Sequence, residues 1–158
     1  KEEEIFPVKI DGVKHVYYVL EECLSALEEE QEPSSDKVHF VAPLDNLLWN
    51  RRMISEIFGF DYAWEVYKVP AKRKYGYYVM PILHDTRFIG RLDPKLDRQN
   101  RKMIINSLLL EEKRVDNALV NELTEALSSF CRFHDVSEVE IRRTKPRELR
   151  GSLTETIV

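Results

Sequence analysis

The chain has 158 residues, 43% of them hydrophobic and 33% charged, with a net charge of −4. That balance belongs to a folded globular protein rather than a disordered one, and no apolar run approaches the roughly 20 residues a membrane-crossing helix needs. Two distant cysteines, Cys23 and Cys131, give no disulfide framework, and the acidic opening "KEEEIFPV" lacks a signal core. A cytoplasmic protein without membrane contact is expected, and Lys1 in place of an initiator methionine suggests a piece of a longer chain.

Residues 5–20 are two β-rich runs around Asp11-Gly12, a strong hairpin signal. "EECLSALEEE" comes next, with Leu20, Cys23, Leu24 and Leu27 at helical spacing, and "QEPSSD" reads as a polar linker. A hairpin and one helix cannot bury a core of their own, so residues 1–36 are expected to pack on the second unit or on residues upstream.

The second unit, 37–158, opens with the strand-like "KVHFVAP". Asp45 suits the cap of a turn through "NLLW", Asn50 the cap of a helix over "RRMISEIF", and Gly59 its left-handed end. Four strand-like runs come next: "FDYAWEVYKVP", "YGYYVMPILH", "RFIGRLDP" and "RKMIINSLLLEE". Pro81 implies an edge or a bulge. Residues 116–134 form the clearest amphipathic helix, with Leu119, Leu123, Ala126, Leu127, Phe130 and Phe133 as its buried stripe and Asp116 as its cap. "SEVEIRRT" alternates like a last strand, and "KPRELRGSLTETIV" reads as a loosely held tail. The expected fold is α+β: a mainly antiparallel β-barrel or curled sheet with a covering helix.

Charge is distributed unevenly. Residues 1–36 carry 3 basic and 11 acidic side chains, whereas residues 68–102 carry 10 basic and 3 acidic, a block of net +7 in an acidic chain. Lys72, Arg73, Lys74, Arg87, Arg91, Lys95, Arg98, Arg101 and Lys102 lie mainly near the ends of the proposed strands. There they could form a rim that tracks phosphates while Tyr75 or Tyr77 stacks on a base. The competing reading is of charged loops with the tyrosines packed inward. Cys131 and His134 share a helix face but no CxxC or HExxH completes a metal site, and the five glycines form no phosphate loop. Neither a metal nor another cofactor is expected.

Residues 42–98 carry five blocks in order: Pro-x-Asp-x-x-x-Trp, Arg-Arg, Phe-Gly-Phe-Asp-Tyr, Lys-Arg-x-Tyr-Gly-Tyr-Tyr and Gly-Arg-x-Asp-x-Lys-x-Asp-Arg. Together they resemble the C-terminal part of the YcaQ/AlkZ winged-helix DNA glycosylase family, and the preceding hairpin and helix resemble the segment that enters this region. The resemblance implies tandem winged-helix units around a C-terminal β-barrel. It also implies excision of modified bases by a Gln-x-Gln pair in the N-terminal half. Gln31 and Gln99 are the only glutamines here, and no Gln-x-Gln exists. Leu44, Asn50, "DYAW" and "HDT" depart from the family pattern and bear on substrate choice rather than fold.

The expectation is therefore a module made of the end of a winged-helix unit (1–36) and a barrel-like domain (37–158), monomeric and without catalytic residues of its own. Its expected partner is DNA, gripped along the backbone by Lys72, Arg73, Lys74, Arg91, Lys95 and Arg98, with Tyr75 beside them. A non-catalytic DNA-binding protein and a protein-interaction scaffold remain as alternatives, the latter with the basic rim on acidic partners or on the chain's own acidic N-terminal segment.

Overall fold

The computed structural model describes residues 4–28, 37–112 and 115–154. The expected linker at 31–36 lies outside them. Strands β1 (Ile5–Val8) and β2 (Tyr17–Leu20) pair antiparallel with Val8 opposite Tyr17. The connection is longer than the tight hairpin that Asp11-Gly12 suggests. Gly12 does turn the chain, at φ 77°, and Val13 N–H donates to Ile10 C=O. His15 instead leaves the hairpin to meet Glu56, Nδ1 to Oε1 at 2.6 Å, while the Tyr17 hydroxyl donates to Oε2 of the same carboxylate. A 3-10 turn (Glu21–Cys23) and helix α1 (Leu24–Glu28) complete this part of the chain.

The main sheet runs in the order β3 (Val38–Phe40), β4 (Met80–His84), β5 (Arg87–Asp97), β6 (Lys102–Leu110), β7 (Glu138–Ile141), with β8 (Thr144–Lys145) also on β6. The pairs from β3 to β6 are antiparallel, whereas β7 and β8 lie parallel to β6. The sheet is thus mainly antiparallel but mixed. Two bulges bend it: Ile89 is the extra residue of β5 against Ile82–Leu83, and Asn106 the extra residue of β6 against Asp93–Pro94. Bulges add local twist and bend, and the sheet curls into a half-barrel. Pro81 sits one position before the first bulge, past the last pair of β3 with β4.

Helix α3 (Asn117–Phe133) covers one face of the sheet. Asp116 caps it by accepting Leu119 N–H at 2.9 Å. Leu119, Leu123, Leu127 and Cys131 join Ile82, Leu92, Met103, Ile105 and Leu108 in one core. Two expectations change here. Phe133 is 83% exposed, and Cys131 takes its place in the stripe. The expected loose tail is helical over its described part, with 155–158 outside the described residues: helix α4 (Leu149–Thr154) buries Leu149 and Leu153, one turn apart, in the same core.

A second apolar cluster lies on the other side, where helix α2 (Arg51–Phe58) meets Val41, Leu48, Phe60, Tyr62 and Phe88. The predicted caps form as expected. Asp45 accepts Leu47 N–H and Asn50 accepts Met53 N–H, while Gly59 ends α2 at φ 61°. "FDYAWEVYKVP" is not a strand. It crosses this cluster as irregular chain, with Phe60 stacked on Phe88 and the Tyr62 hydroxyl donating to Val79 C=O. "YGYYVMPILH" likewise becomes a strand only at Met80.

Candidate nucleic-acid interface

The shape of the basic turn depends on one buried carboxylate. Pro70, with its preset φ, opens a 3-10 turn over Pro70–Lys72, and Arg73 N–H donates back to Pro70 C=O. Beyond it the chain bends around Glu65, whose side chain is only 2% exposed. Glu65 Oε1 accepts the Lys68 ammonium at 2.9 Å and Lys74 N–H at 3.1 Å, and Oε2 accepts Tyr75 N–H at 2.8 Å and Gly76 N–H at 3.4 Å. Successive backbone N–H groups of this kind make an anion-binding concavity, filled here by the protein's own carboxylate. Burial pushes the Glu65 carboxyl up, but Tyr75 N–H, the Lys68 ammonium and the N–H groups of Lys74 and Gly76 outweigh it and hold it at about 2.

A second buried carboxylate takes over from there. Asp93 on β5 accepts Tyr78 N–H at 3.1 Å. A Cβ added at Gly76 would lie 2.2 Å from Asp93 Oδ2, so only glycine lets the turn close on this strand. The two sequence blocks Lys-Arg-x-Tyr-Gly-Tyr-Tyr and Gly-Arg-x-Asp therefore fold directly against each other.

Arg91 belongs to this lock and not to a rim. It is 4% exposed, with its guanidinium carbon 4.0 Å from the Phe60 ring centre and 4.3 Å from that of Tyr75. It donates to Asp61 C=O and pairs with Glu111. Its charge is engaged internally, which corrects its assignment as a phosphate contact. Tyr75 is half-buried, with Arg91 over its ring and the Lys74 ammonium 4.7 Å from its centre. It serves the fold before any base.

The remaining cations sort cleanly. Lys68 pairs with Glu65, Arg87 with Glu112, Arg101 with Asp135, and Lys102 with both Glu138 and Glu140. Among the described residues of the +7 block, Lys72, Arg73, Lys74, Lys95 and Arg98 form no salt bridge, and all but Arg73 are exposed. Arg73 is half-buried, its Nε–H donating to Lys68 C=O at 2.9 Å and its guanidinium lying 4.8 Å from the Tyr77 ring centre. Lys95 lies two positions beyond Asp93 on β5. Arg98 stands in the next turn, five positions from Asp93, about 17 Å at strand rise. The arrangement is a compact cationic turn with two outlying charges, not a closed ring.

Two residues that sequence reasoning passed over matter here, Glu65 and Tyr67. Glu65 organises the turn; its signal was a lone acid in an apolar run. Tyr67 is 87% exposed, and of the two tyrosines expected to meet a base it is Tyr77, 53% exposed, that faces outward. Among the described residues no group of three or more His, Cys, Asp or Glu could hold a metal ion, and no helix is long and apolar enough to cross a membrane.

A curled half-barrel sheet carrying a carboxylate-locked cationic turn defines an α+β domain. The chain belongs to the AlkZ-like DNA glycosylase family, described as "DNA glycosylase AlkZ-like", which it matches over residues 1–133. Among solved structures it is similar to the Streptomyces sahachiroi DNA glycosylase AlkZ, at 13% identity and a TM-score of 0.46, over 88% of this chain. It spans about a third (33%) of that protein's length.

Proposed function

We propose that this chain is the DNA-binding and scaffolding module of a glycosylase-like base-excision repair protein, holding the phosphate backbone while excision chemistry resides in other parts of the protein. The observation that carries the reading is the turn of Lys72, Arg73 and Lys74, which has no salt bridge among the described residues and is fixed from beneath by Glu65. Cations pre-positioned on a rigid turn contact phosphates without first losing ion-pair partners. Lys95 and Arg98 extend the contact along the strand. Residues 1–36 act as the end of a winged-helix unit docked on the barrel-like domain 37–158, a reading supported by the grip of Glu56 on His15 and Tyr17.

The test is equilibrium binding of fluorescent duplex DNA to the 158-residue chain at low and moderate salt. Sequence-independent binding that weakens steeply with salt is the expected result. Absence of binding at low salt removes the proposal.

A further inference from the structure

The exposed tyrosines beside the turn call for a partner that basic side chains alone do not specify. Residues 66–84 contain no aspartate or glutamate, while Lys68, Lys72, Arg73 and Lys74 all fall within them. In that stretch Tyr67 is 87% exposed and Tyr77 53% exposed. Arg73 links the two: its Nε–H holds the carbonyl of Lys68, the neighbour of Tyr67, and its guanidinium lies over the Tyr77 ring. Trp64 backs Tyr67 edge-on at 5.6 Å between ring centres. Tyr77 is thus braced by Arg73 and Tyr67 by Trp64, in a stretch of chain that also carries Lys72 and Lys74.

We infer that Tyr67 and Tyr77 form a stacking platform for an unpaired nucleotide of DNA, with the flanking phosphates on Lys72 and Arg73. The inference rests on the DNA-binding reading above and deepens it. Aromatic faces accept any base, but only one that has left the double-helical stack. An apolar protein partner fits the patch less well, because residues 66–84 carry four Lys and Arg and no acid, with Arg73 against the Tyr77 ring. The nearby carboxylates are already bonded: Glu65 by Lys68, Lys74, Tyr75 and Gly76, and Asp93 by Tyr78 N–H and Asn106. The charge of the patch matches a polyanion that carries flat rings.

The experiment uses the 158-residue chain and two DNA duplexes, one fully paired and one with a single bulged 2-aminopurine. The expected result is about tenfold tighter binding of the bulged duplex, with quenched 2-aminopurine emission on binding. Tyr67→Ala with Tyr77→Ala abolishes the preference and the quenching, while affinity for the paired duplex stays within about twofold. Phenylalanine at both positions retains them. Equal binding of the two duplexes by the unaltered chain overturns the platform but leaves backbone binding standing, as does a preference that survives both alanines. Failure to bind either duplex overturns the DNA reading itself.

Discussion

The Glu65 carboxylate accepts the backbone N–H of Tyr75 at 2.8 Å, across ten positions of sequence. That bond and its neighbours turn "AKRKYGYY" from a flexible charged loop into a fixed one. Fixing the backbone beforehand lowers the ordering entropy that a binding partner must overcome. The position of the cations thus depends on a residue of opposite charge that no ligand would touch.

Replacing that residue separates support from contact. Glu65→Gln keeps the size but loses the charge, and its amide cannot satisfy all four donors. Stability is expected to fall by about 1–3 kcal/mol, the range for leaving a buried donor unpaired. Affinity for duplex DNA is expected to fall as well, although no phosphate-contacting cation is removed. Urea unfolding and DNA titration of the same variant check both. A variant that loses stability but binds as before would show that the lock does not position the cations.

The same carboxylate sets an acid limit. Its folded value of about 2 lies below the ordinary 4.5, so its contribution to stability is complete above about pH 4.5 and is lost as the pH falls from there toward 2. Glu56, Asp97 and Glu140 are also held low, by hydrogen bonds from Tyr17, Asn100 and Arg142 respectively. The difference between wild type and Glu65→Gln isolates the one group. Unfolding free energy measured from about pH 6 to about pH 3 is expected to decline less steeply in the variant.

Much of the scaffold was legible in the sequence because it rests on local physics. The caps Asp45, Asn50 and Asp116, the end of α2 at Gly59 and the face of α3 each depend on residues within a few positions of one another. Residues 60–64 misled for a clear reason. Phe60 and Tyr62 alternate with exposed Asp61 and Ala63, as in a strand, but they pack on the sheet's face and join no strand ladder. Helix α4 was hidden because, among its described side chains, Leu149 and Leu153 alone enter the core from a polar segment. At the candidate site the cationic turn was visible, whereas the fate of each charge was not. Composition cannot distinguish Arg91, enclosed by Phe60 and Tyr75, from Lys95, which stands two strand positions past Asp93 in solvent.

Arg91 should behave as a core residue. Arg91→Ala removes the donor to Asp61 C=O and the plane between two rings and frees Glu111, which is half exposed and stays solvated, so a loss of up to about 3 kcal/mol is expected. Arg91→Lys should rescue little, since an ammonium neither stacks between rings nor reaches with a planar fork. Chemical denaturation of both variants is the check. A nearly neutral Arg91→Ala would return this residue to the surface.

The proposal that excision chemistry resides in other parts of the protein predicts that this chain alone does not excise bases. Incubating the chain with alkylated duplex DNA and then cleaving at abasic sites should give no product above the DNA-only control. Strand breaks that depend on the chain would place the active site within these residues.

The turn itself gives the last test. Changing Lys72, Arg73 and Lys74 together to alanine removes up to three phosphate contacts, and each contact releases condensed counterions on binding. The slope of log affinity against log salt should therefore flatten by about one unit per contact, roughly one to three in all, with similar loss on unrelated DNA sequences. Lys72 and Lys74 are exposed, and surface changes of that kind usually alter stability by within about 0.5 kcal/mol. Arg73 also holds Lys68 C=O, so the Lys72→Ala/Lys74→Ala pair is the cleaner comparison and should flatten the slope by up to about two units. The rival account has the acidic N-terminal segment neutralising these cations. It predicts the opposite pattern, lost stability with unchanged DNA affinity, and measuring both quantities on the double and triple variants decides between them.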